Sequence, residues 1–490
     1  MACQLPADCL NEIFEYLEID KFTLHSCLLV NRLWCETSVR ILWRNFFDFK
    51  FDHKRPLFKI YSSILSTLIA CLPDESKNLL YNNGIFILTP TSKPLLFNYA
   101  SFFKALSIYR INMMIVNVLE NGLSLISKDK NSLVANEIIK MLANQITSLK
   151  KLSCYHSHYY KHNFNISFPY FPGARDLSEL CCSSDLPSDF FNQLSQICHN
   201  LQSISIDFRS IVNSSVKDLI SSQNNLKDLN LSAFDDGSWT DIIPAITKHS
   251  HTITKLKFRS DNDFSSFSFI SSFTNLQKLL FLFLGEVIVD FTKLQYVNFS
   301  KLQILKIPYE CPKPEYVMKF LENNGKNLKE FYTGENSKDL SLSIARFCPN
   351  LKNLFVLFNN GELDVLKTIL ISCQYLESIK IWCGINYLSE KEVLETVAKY
   401  STNNFCELKI HHITTSDASP DDLESFFICW ERRTPKKLLS FTIIGNIEYQ
   451  LHCGYNSLET LKVIEKYENL GIIKFVTKSK NEGSEEGEQF

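Results

Sequence analysis

The feature that most constrains this chain's fold is a six-residue apolar pattern, L-x-x-L-x-L, with Ile, Phe or Cys standing in for Leu. It reads LKKLSC from Leu149, LSELCC from Leu177, LQSISI from Leu201 and LKDLNL from Leu226. It continues as ITKLKF from Ile253, LQKLLF from Leu276, LQILKI from Leu302 and LKEFYT from Leu328, then LKNLFV from Leu351, LESIKI from Leu376, FCELKI from Phe405 and LLSFTI from Leu438. Successive copies start about 26 residues apart, a period that marks a stacked array of one supersecondary unit. The last two apolar positions are two apart, so both point to one face of a short strand. The first lies in the turn leading into it.

Stretches of helical periodicity separate the strands. LDVLKTILISC puts Leu363, Leu366, Leu370 and Cys373 on one side. SEKEVLETVAKY starts on Ser389 with Glu392 three residues on, a capping-box signature, and then aligns Val393, Val397 and Tyr400. Each unit is therefore strand, turn, helix. No unit buries its apolar faces alone; stacking does so continuously. Asn precedes the first apolar residue at Asn200, Asn225, Asn275, Asn327 and Asn350, where it suits turn geometry. Cys198, Cys348 and Cys373 each sit three residues before it. Recurrence in register reads as packing at the helix-to-strand corner rather than as a metal or redox site.

The pattern from Leu149 to Ile443 resembles the cysteine-containing class of leucine-rich repeats. LKEFYT departs from it by ending on Thr333, and the end repeats are irregular, as repeats that must face water are. LETLKVIEKYENLGIIKF then reads as a closing helix and strand, and the polar KNEGSEEGEQF as a disordered tail.

Apolar residues make up 45% and charged residues 21%, a globular profile. The net charge of −2 lacks the basic excess that nucleic acid demands, so no nucleic-acid partner is expected. MACQLPADC has no basic region followed by an apolar one, so no secretory signal is expected. IYSSILSTLIACL, from Ile60 to Leu72, is too short to span a bilayer and reads as a buried helix, so no membrane association is expected. The Asn-x-Ser sequons at Asn165, Asn213, Asn230 and Asn298 carry little meaning without a secretory route. Sixteen scattered cysteines without a Cys-x-x-Cys pair read as free thiols in a reducing compartment, the cytoplasm or nucleus. Between residues 48 and 146 no repeat is evident. PLFKIYSSILSTLIACL, FFKALSIYRI and SLVANEIIKML read as helices, punctuated by Pro73, Asn83-Gly84, Pro90 and Pro94.

The N-terminal stretch LPADCLNEIFEYL aligns Leu10, Ile13, Phe14 and Leu17 as one apolar stripe behind Pro6, which fits a first helical turn. LHSCLLVNRLW and VRILWRNFF add two more short apolar segments. So small a unit leans on a partner or on the helices after it. This head resembles an F-box: Leu5 and Pro6, then Leu10, Ile13, Phe14 and Leu17, then Leu29, Val30, Asn31, Arg32 and Trp34. The connection EIDKFT is longer than the family's usual one, and the general style resembles the large F-box families of fungi. The resemblance implies that Leu5, Pro6, Leu10, Ile13, Phe14, Leu17, Leu29, Val30 and Trp34 contact a Skp-type adaptor and, through it, a cullin. The same stripe, read by spacing alone, is also an ordinary core face; a domain this small makes some residues serve both ends.

The expected fold class is α/β. A three-helix F-box (1–47) is followed by a helical connecting region (48–146). A leucine-rich-repeat solenoid with its cap (147–475) comes next, parallel strands concave and helices convex, and then a tail (476–490). Solvent-facing concave positions between the apolar ones are Ser205, Asn230, Lys257, Lys306, Phe355 and Lys380, and their lysines suit an unidentified protein substrate of some acidic character. No phosphate-cradling Gly-rich loop, His-Glu-x-x-His or Gly-x-Ser-x-Gly is present, so neither catalytic residues nor a cofactor is expected. CYHSHYYKHNF holds Cys154, His156, His158 and His162, zinc ligands by type, but Cys154 is also the last apolar position of its repeat; no metal is expected. The expected function is the substrate-recognition subunit of an SCF-type ubiquitin ligase, with a non-ligase interaction scaffold as the alternative.

Overall fold

A computed structural model describes residues 5–48, 57–86, 95–122, 128–155, 168–209, 212–234, 237–261, 267–283, 291–309, 312–413, 418–445, 455 and 457–479. His156, His158, His162, Asn165, Pro90, Pro94 and the 480–490 tail lie outside the described residues. Two compact units are formed, Met1–Leu226 with Gly237–Ile246, and Lys227–Asp236 with Thr247–Phe490.

The first unit starts with α1 (Ala7–Glu15), α2 (Lys21–Cys27) and α3 (Arg32–Arg44). Pro6 stands just before α1, and its carbonyl accepts from the Leu10 N–H at 3.1 Å. Asp20 caps α2 by accepting from the Thr23 N–H, and Asn31 caps α3 by accepting from the Trp34 N–H at 2.9 Å. Next come α4 (Leu57–Cys71), α5 (Asp74–Asn82), α6 (Ile108–Gly122) and α7 (Lys128–Gln145). The most membrane-like stretch is α4, and it buries Leu65 and Leu68; no helix among the described residues is long and apolar enough to cross a membrane. Asn83-Gly84 closes α5, with Gly84 at a φ of +67° and its N–H donating to Tyr81 O, a left-handed C-terminal cap.

Strands β1 (Ala105–Ser107), β2 (Lys151–Cys154), β3 (Glu179–Ser183) and β4 (Ser203–Phe208) lie parallel in chain order in this unit. β1 corrects the expectation that FFKALSIYRI is one helix. FKALSI is itself a copy of the pattern, with Phe103, Leu106 and Ile108 buried and Leu106 paired with Leu152. Two helices, α6 and α7, fill the interval to the next copy. That stretches the period and hides the match.

The second unit carries β5 (Asp228–Ala233), β6 (Lys255–Ser260), β7 (Lys278–Phe283), β8 (Ile304–Ile307) and β9 (Glu330–Thr333). It continues with β10 (Asn353–Phe355), β11 (Ser378–Cys383), β12 (Glu407–His412), β13 (Leu439–Gly445) and β14 (Ile473–Ser479), the last being the expected closing strand, which runs on through the first four residues of the segment expected as a tail (476–490). All pair in parallel in chain order. The pattern's fourth residue holds one register line: Leu229, Leu256, Leu279, Leu305, Phe331, Leu354, Ile379, Leu408 and Phe441 are each at most 2% exposed. Each such side chain contributes about 1.5–3 kcal/mol by leaving water. Thr333, where LKEFYT lacks a final apolar residue, is fully buried, and its hydroxyl accepts from the Glu335 N–H at 3.1 Å.

The recurring polar details bridge neighbouring repeats. Asn275 Nδ2 donates to His251 O at 2.6 Å and Asn350 Nδ2 to Lys326 O at 2.8 Å, so these side chains reach the preceding repeat rather than their own turn. The corner cysteines pack: Cys198 Sγ donates to Ala174 O at 2.7 Å and Cys373 Sγ to Cys348 O at 3.4 Å, all three thiols being buried. Burial pushes the Cys198 and Cys373 thiols up to about 12, far from thiolate chemistry.

Candidate functional site

The head divides its apolar residues into two sets. Leu10, Phe14, Leu24, Cys27 and Ile41 form its core, with Leu17, Leu33, Trp34 and Leu42 packed against them. The Phe14 and Trp34 rings meet edge to face at 5.1 Å. The cap at Asn31 places Trp34 for this contact, which gives Val-Asn-Arg-x-Trp a local physical role. Glu15 takes both guanidinium nitrogens of Arg44, at 2.5 Å each, tying α1 to α3. That hydrogen bond outweighs the upward pull of burial and holds the Glu15 carboxyl below its ordinary value.

Of the nine residues expected at the adaptor, Leu5, Pro6, Ile13, Leu29 and Val30 are exposed, whereas Leu10 and Phe14 are buried and Leu17 and Trp34 half-buried. Tyr16, Ile19 and Phe22 add exposed surface in the same α1–α2 stretch, at 89%, 95% and 75%. Only the resemblance's motif positions were expected there, and these three fall between them. They were still readable as large apolar groups off the α1 stripe or in the EIDKFT connection. The head also packs on the helical segment C-terminal to it: Trp43 lies 4.9 Å from Tyr99, Phe47 stacks on Phe103 at 5.1 Å, and the Lys104 N–H donates to Arg44 O.

All six positions expected to bind substrate occupy the pattern's fifth place, one residue past the buried line and so on the opposite face of the sheet. In the second unit the row runs Asn230, Lys257, Leu280, Lys306, Tyr332, Phe355, Lys380, Lys409 and Thr442. Two of the six correct the expectation of solvent exposure. Ser205 is 7% exposed, its hydroxyl 2.6 Å from that of Tyr155. Phe355 is 4% exposed, because Tyr332, Leu357, Trp382 and Tyr387 pack around it.

This aromatic group is the most developed feature of that face. Tyr332 and Phe355 lie 6.1 Å apart, Phe355 and Trp382 6.3 Å, Trp382 and Tyr387 5.6 Å, and Trp382 stacks on His411 at 4.7 Å. Lys306 Nζ sits 4.0 Å above the Tyr332 ring and Lys380 Nζ 5.0 Å above that of Phe355, within cation–π range. Across β5–β12 the face carries Lys255, Lys257, Arg259, Lys278, Lys306, Lys380 and Lys409 against Asp228, Glu330 and Glu407. Each of those three carboxylates already pairs with a lysine of the set, at 3.5, 3.6 and 3.1 Å.

Other titratable groups serve packing. His412 Nε2 lies 3.0 Å from Glu390, both buried behind the sheet. A groove of about 390 Å³ lined by Lys391, Glu395, Asp422, Phe426 and Cys429 is spanned by the Lys391–Asp422 ion pair at 3.0 Å. Cys154 is buried with its thiol pushed upward by desolvation, and among the described residues no group of three His, Cys, Asp or Glu is placed to hold a metal ion.

No family model matches the chain, and neither does any curated protein. Among solved structures, the chain is similar to the leucine-rich repeat-containing protein LegL7 from Legionella pneumophila at 14% identity and a TM-score of 0.36, over 61% of this chain and 91% of that one. It is similar to the Rad7 and Elc1 complex in yeast at 12% identity and a TM-score of 0.34, over 70% and 90%. It is also similar to the LRR protein LIC12759 from Leptospira interrogans at 13% identity and a TM-score of 0.35, over 72% and 94%. The strand register, rather than these likenesses, defines the repeat fold.

Proposed function

We propose that the chain is the substrate-recognition subunit of an SCF-type ubiquitin ligase, its head docking on a Skp-type adaptor and, through it, a cullin, and its repeats holding a protein substrate. The observation that carries this reading is the partition of the head. Leu10, Phe14 and Ile41 satisfy its core, yet Leu5, Ile13, Leu29 and Val30 stay in water, more than a third exposed each. Several large apolar side chains exposed so close together in sequence mark an interaction surface. The chain's contribution is proximity: it brings a substrate to the transfer machinery and makes no bonds itself. The thirteen described cysteines, all free, support a reducing compartment, cytoplasm or nucleus.

Co-purification with the adaptor tests this reading. Ile13→Ala with Leu29→Ala is expected to abolish capture while leaving the thermal melt unchanged, since both side chains face solvent. Phe14→Ala is expected to cost about 3–5 kcal/mol and to lose capture only by unfolding the head. Undiminished capture by the folded double variant sinks the docking surface. Recovery of adaptor and repeat partner without cullin makes the chain a non-ligase scaffold instead.

A further inference from the structure

The strand ladder of the second unit stops at β14, and its open side is built unlike the rest. Among the described residues β14 pairs with β13 on one side and with no strand on the other. The Leu439 N–H donates to Ile472 O at 3.0 Å, which fixes the alternation along β14. Lys474, Val476 and Lys478 turn their backbone N–H and C=O toward β13, and Ile473, Phe475, Thr477 and Ser479 turn theirs to the open side. A row of backbone donors and acceptors turned outward is a template for another strand. Yet this row is interrupted near its centre. The Phe475 N–H donates to Glu468 Oε1 at 2.8 Å, so a carboxylate stands where a further strand's carbonyl would stand. Glu468 comes from the closing helix α8 (Leu458–Asn469), and the chain reverses into β14 at Gly471 (φ +67°). Leu458, Leu461 and Glu468 share one stripe of α8, so both leucines look to the open side with the carboxylate, and both are exposed.

We infer that Glu468 is an edge guard, whose carboxylate keeps a second copy of this chain from adding its own β14 to this one. A second copy is the occupant that this edge fits. Two β14 strands related by a two-fold axis at Val476 run antiparallel and pair Phe475 of each with Thr477 of the other, through the same outward groups. Burial of Leu458 and Leu461 beside the seam would favour that pairing. The Glu468 carboxylate opposes it. It occupies the donor that the ladder needs at Phe475, once in each copy, and pairing would shut its charge into the seam away from water. Lys474, exposed on the same strand, adds a charge to the edge, a placement by which native sheets blunt open strands.

Sedimentation equilibrium of the full chain over a concentration series tests this. Glu468→Ala is expected to tighten self-association at least about tenfold over the parent, because the two-fold axis counts the released donor twice. Glu468→Gln keeps an acceptor for the Phe475 N–H and is expected to associate as the parent does. Thr477→Pro, placed in the Glu468→Ala background, removes an outward N–H that β13 does not use and is expected to restore the parent's behaviour. Thermal melts accompany each variant; where Thr477→Pro lowers the melt, Leu461→Asp on the exposed stripe makes the same test. A carboxylate that only braces the turn after α8 would give a lower melt for Glu468→Ala with association as in the parent, and that result overturns the inference. Association of Glu468→Gln as tight as that of Glu468→Ala overturns it too, as does association of Glu468→Ala that persists in the folded double variant.

Discussion

Asp422 and Glu392 open two successive helices in the second unit with the same local signature and meet different fates. Ser419 and Asp422 form a reciprocal capping box: the Asp422 N–H donates to Ser419 Oγ at 3.2 Å and the Ser419 N–H donates to Asp422 Oδ2 at 3.0 Å. Ser389, three residues before Glu392, makes no side-chain cap. That helix is anchored instead by Glu390, which accepts from the Tyr455 hydroxyl and lies 3.0 Å from His412 Nε2. The Ser419 hydroxyl, then its N–H and the Lys391 ammonium, hold the Asp422 carboxyl at about 2. A carboxyl depressed in the folded chain adds stability above its unfolded value of about 3.9 and loses it as the pH falls through the folded one. Asp422→Ala is therefore expected to cost about 1 kcal/mol at neutral pH, with its urea midpoint converging on that of the parent as the pH drops from about 4 to 2.

Each repeat's helix-to-strand corner is a slot that the preceding and following turns share. Cys198, Cys348 and Cys373 fill it with a thiol, and Gln223 with an amide that accepts from the Leu201 N–H and donates to Cys198 O. Gly325 fills it with nothing. A Cβ added there would stand 2.6 Å from Phe347 O and 2.8 Å from Cys348 Sγ, too close for either neighbour to stay. Its φ of −58° is ordinary helix, so intrinsic propensity alone would favour alanine by about 0.8–1.0 kcal/mol. Crowding against backbone is expected to reverse that sign: Gly325→Ala should lower stability by about 1–3 kcal/mol in urea unfolding, and a stabilised variant would show that the slot relaxes.

A stacked array distributes its stability among neighbours, so distant substitutions in it are independent. Ile204→Val in β4 and Ile379→Val in β11, both fully buried, are expected to cost about 1 kcal/mol each and to add within about 0.5 kcal/mol when combined. A larger departure from additivity would reveal coupling that nearest-neighbour stacking does not carry. The repeat itself was determined by the amino-acid order alone. Two apolar residues two apart, returning every turn of the array, admit a parallel strand ladder and little else, and the fourth-position residues are buried as that pattern demands, Leu152, Leu180 and Ile204 in the first unit and Leu229 through Phe441 in the second. The head's three helices were equally local, set by Pro6, Asp20 and Asn31 at their starts. What only the tertiary structure decided is which residues of a pattern are left for others. Phe14 and Ile13 share one sequence stripe, but Trp34 closes over the first and leaves the second in water. Phe355 occupies an open-face position, yet rings from neighbouring repeats bury it. The FKALSI strand is hidden from the period because two helices separate it from its neighbour in sequence while backbone pairing joins them in space. Periodicity records which face a residue is on; exposure depends on what other segments bring to that face, and that is information spread over the whole chain.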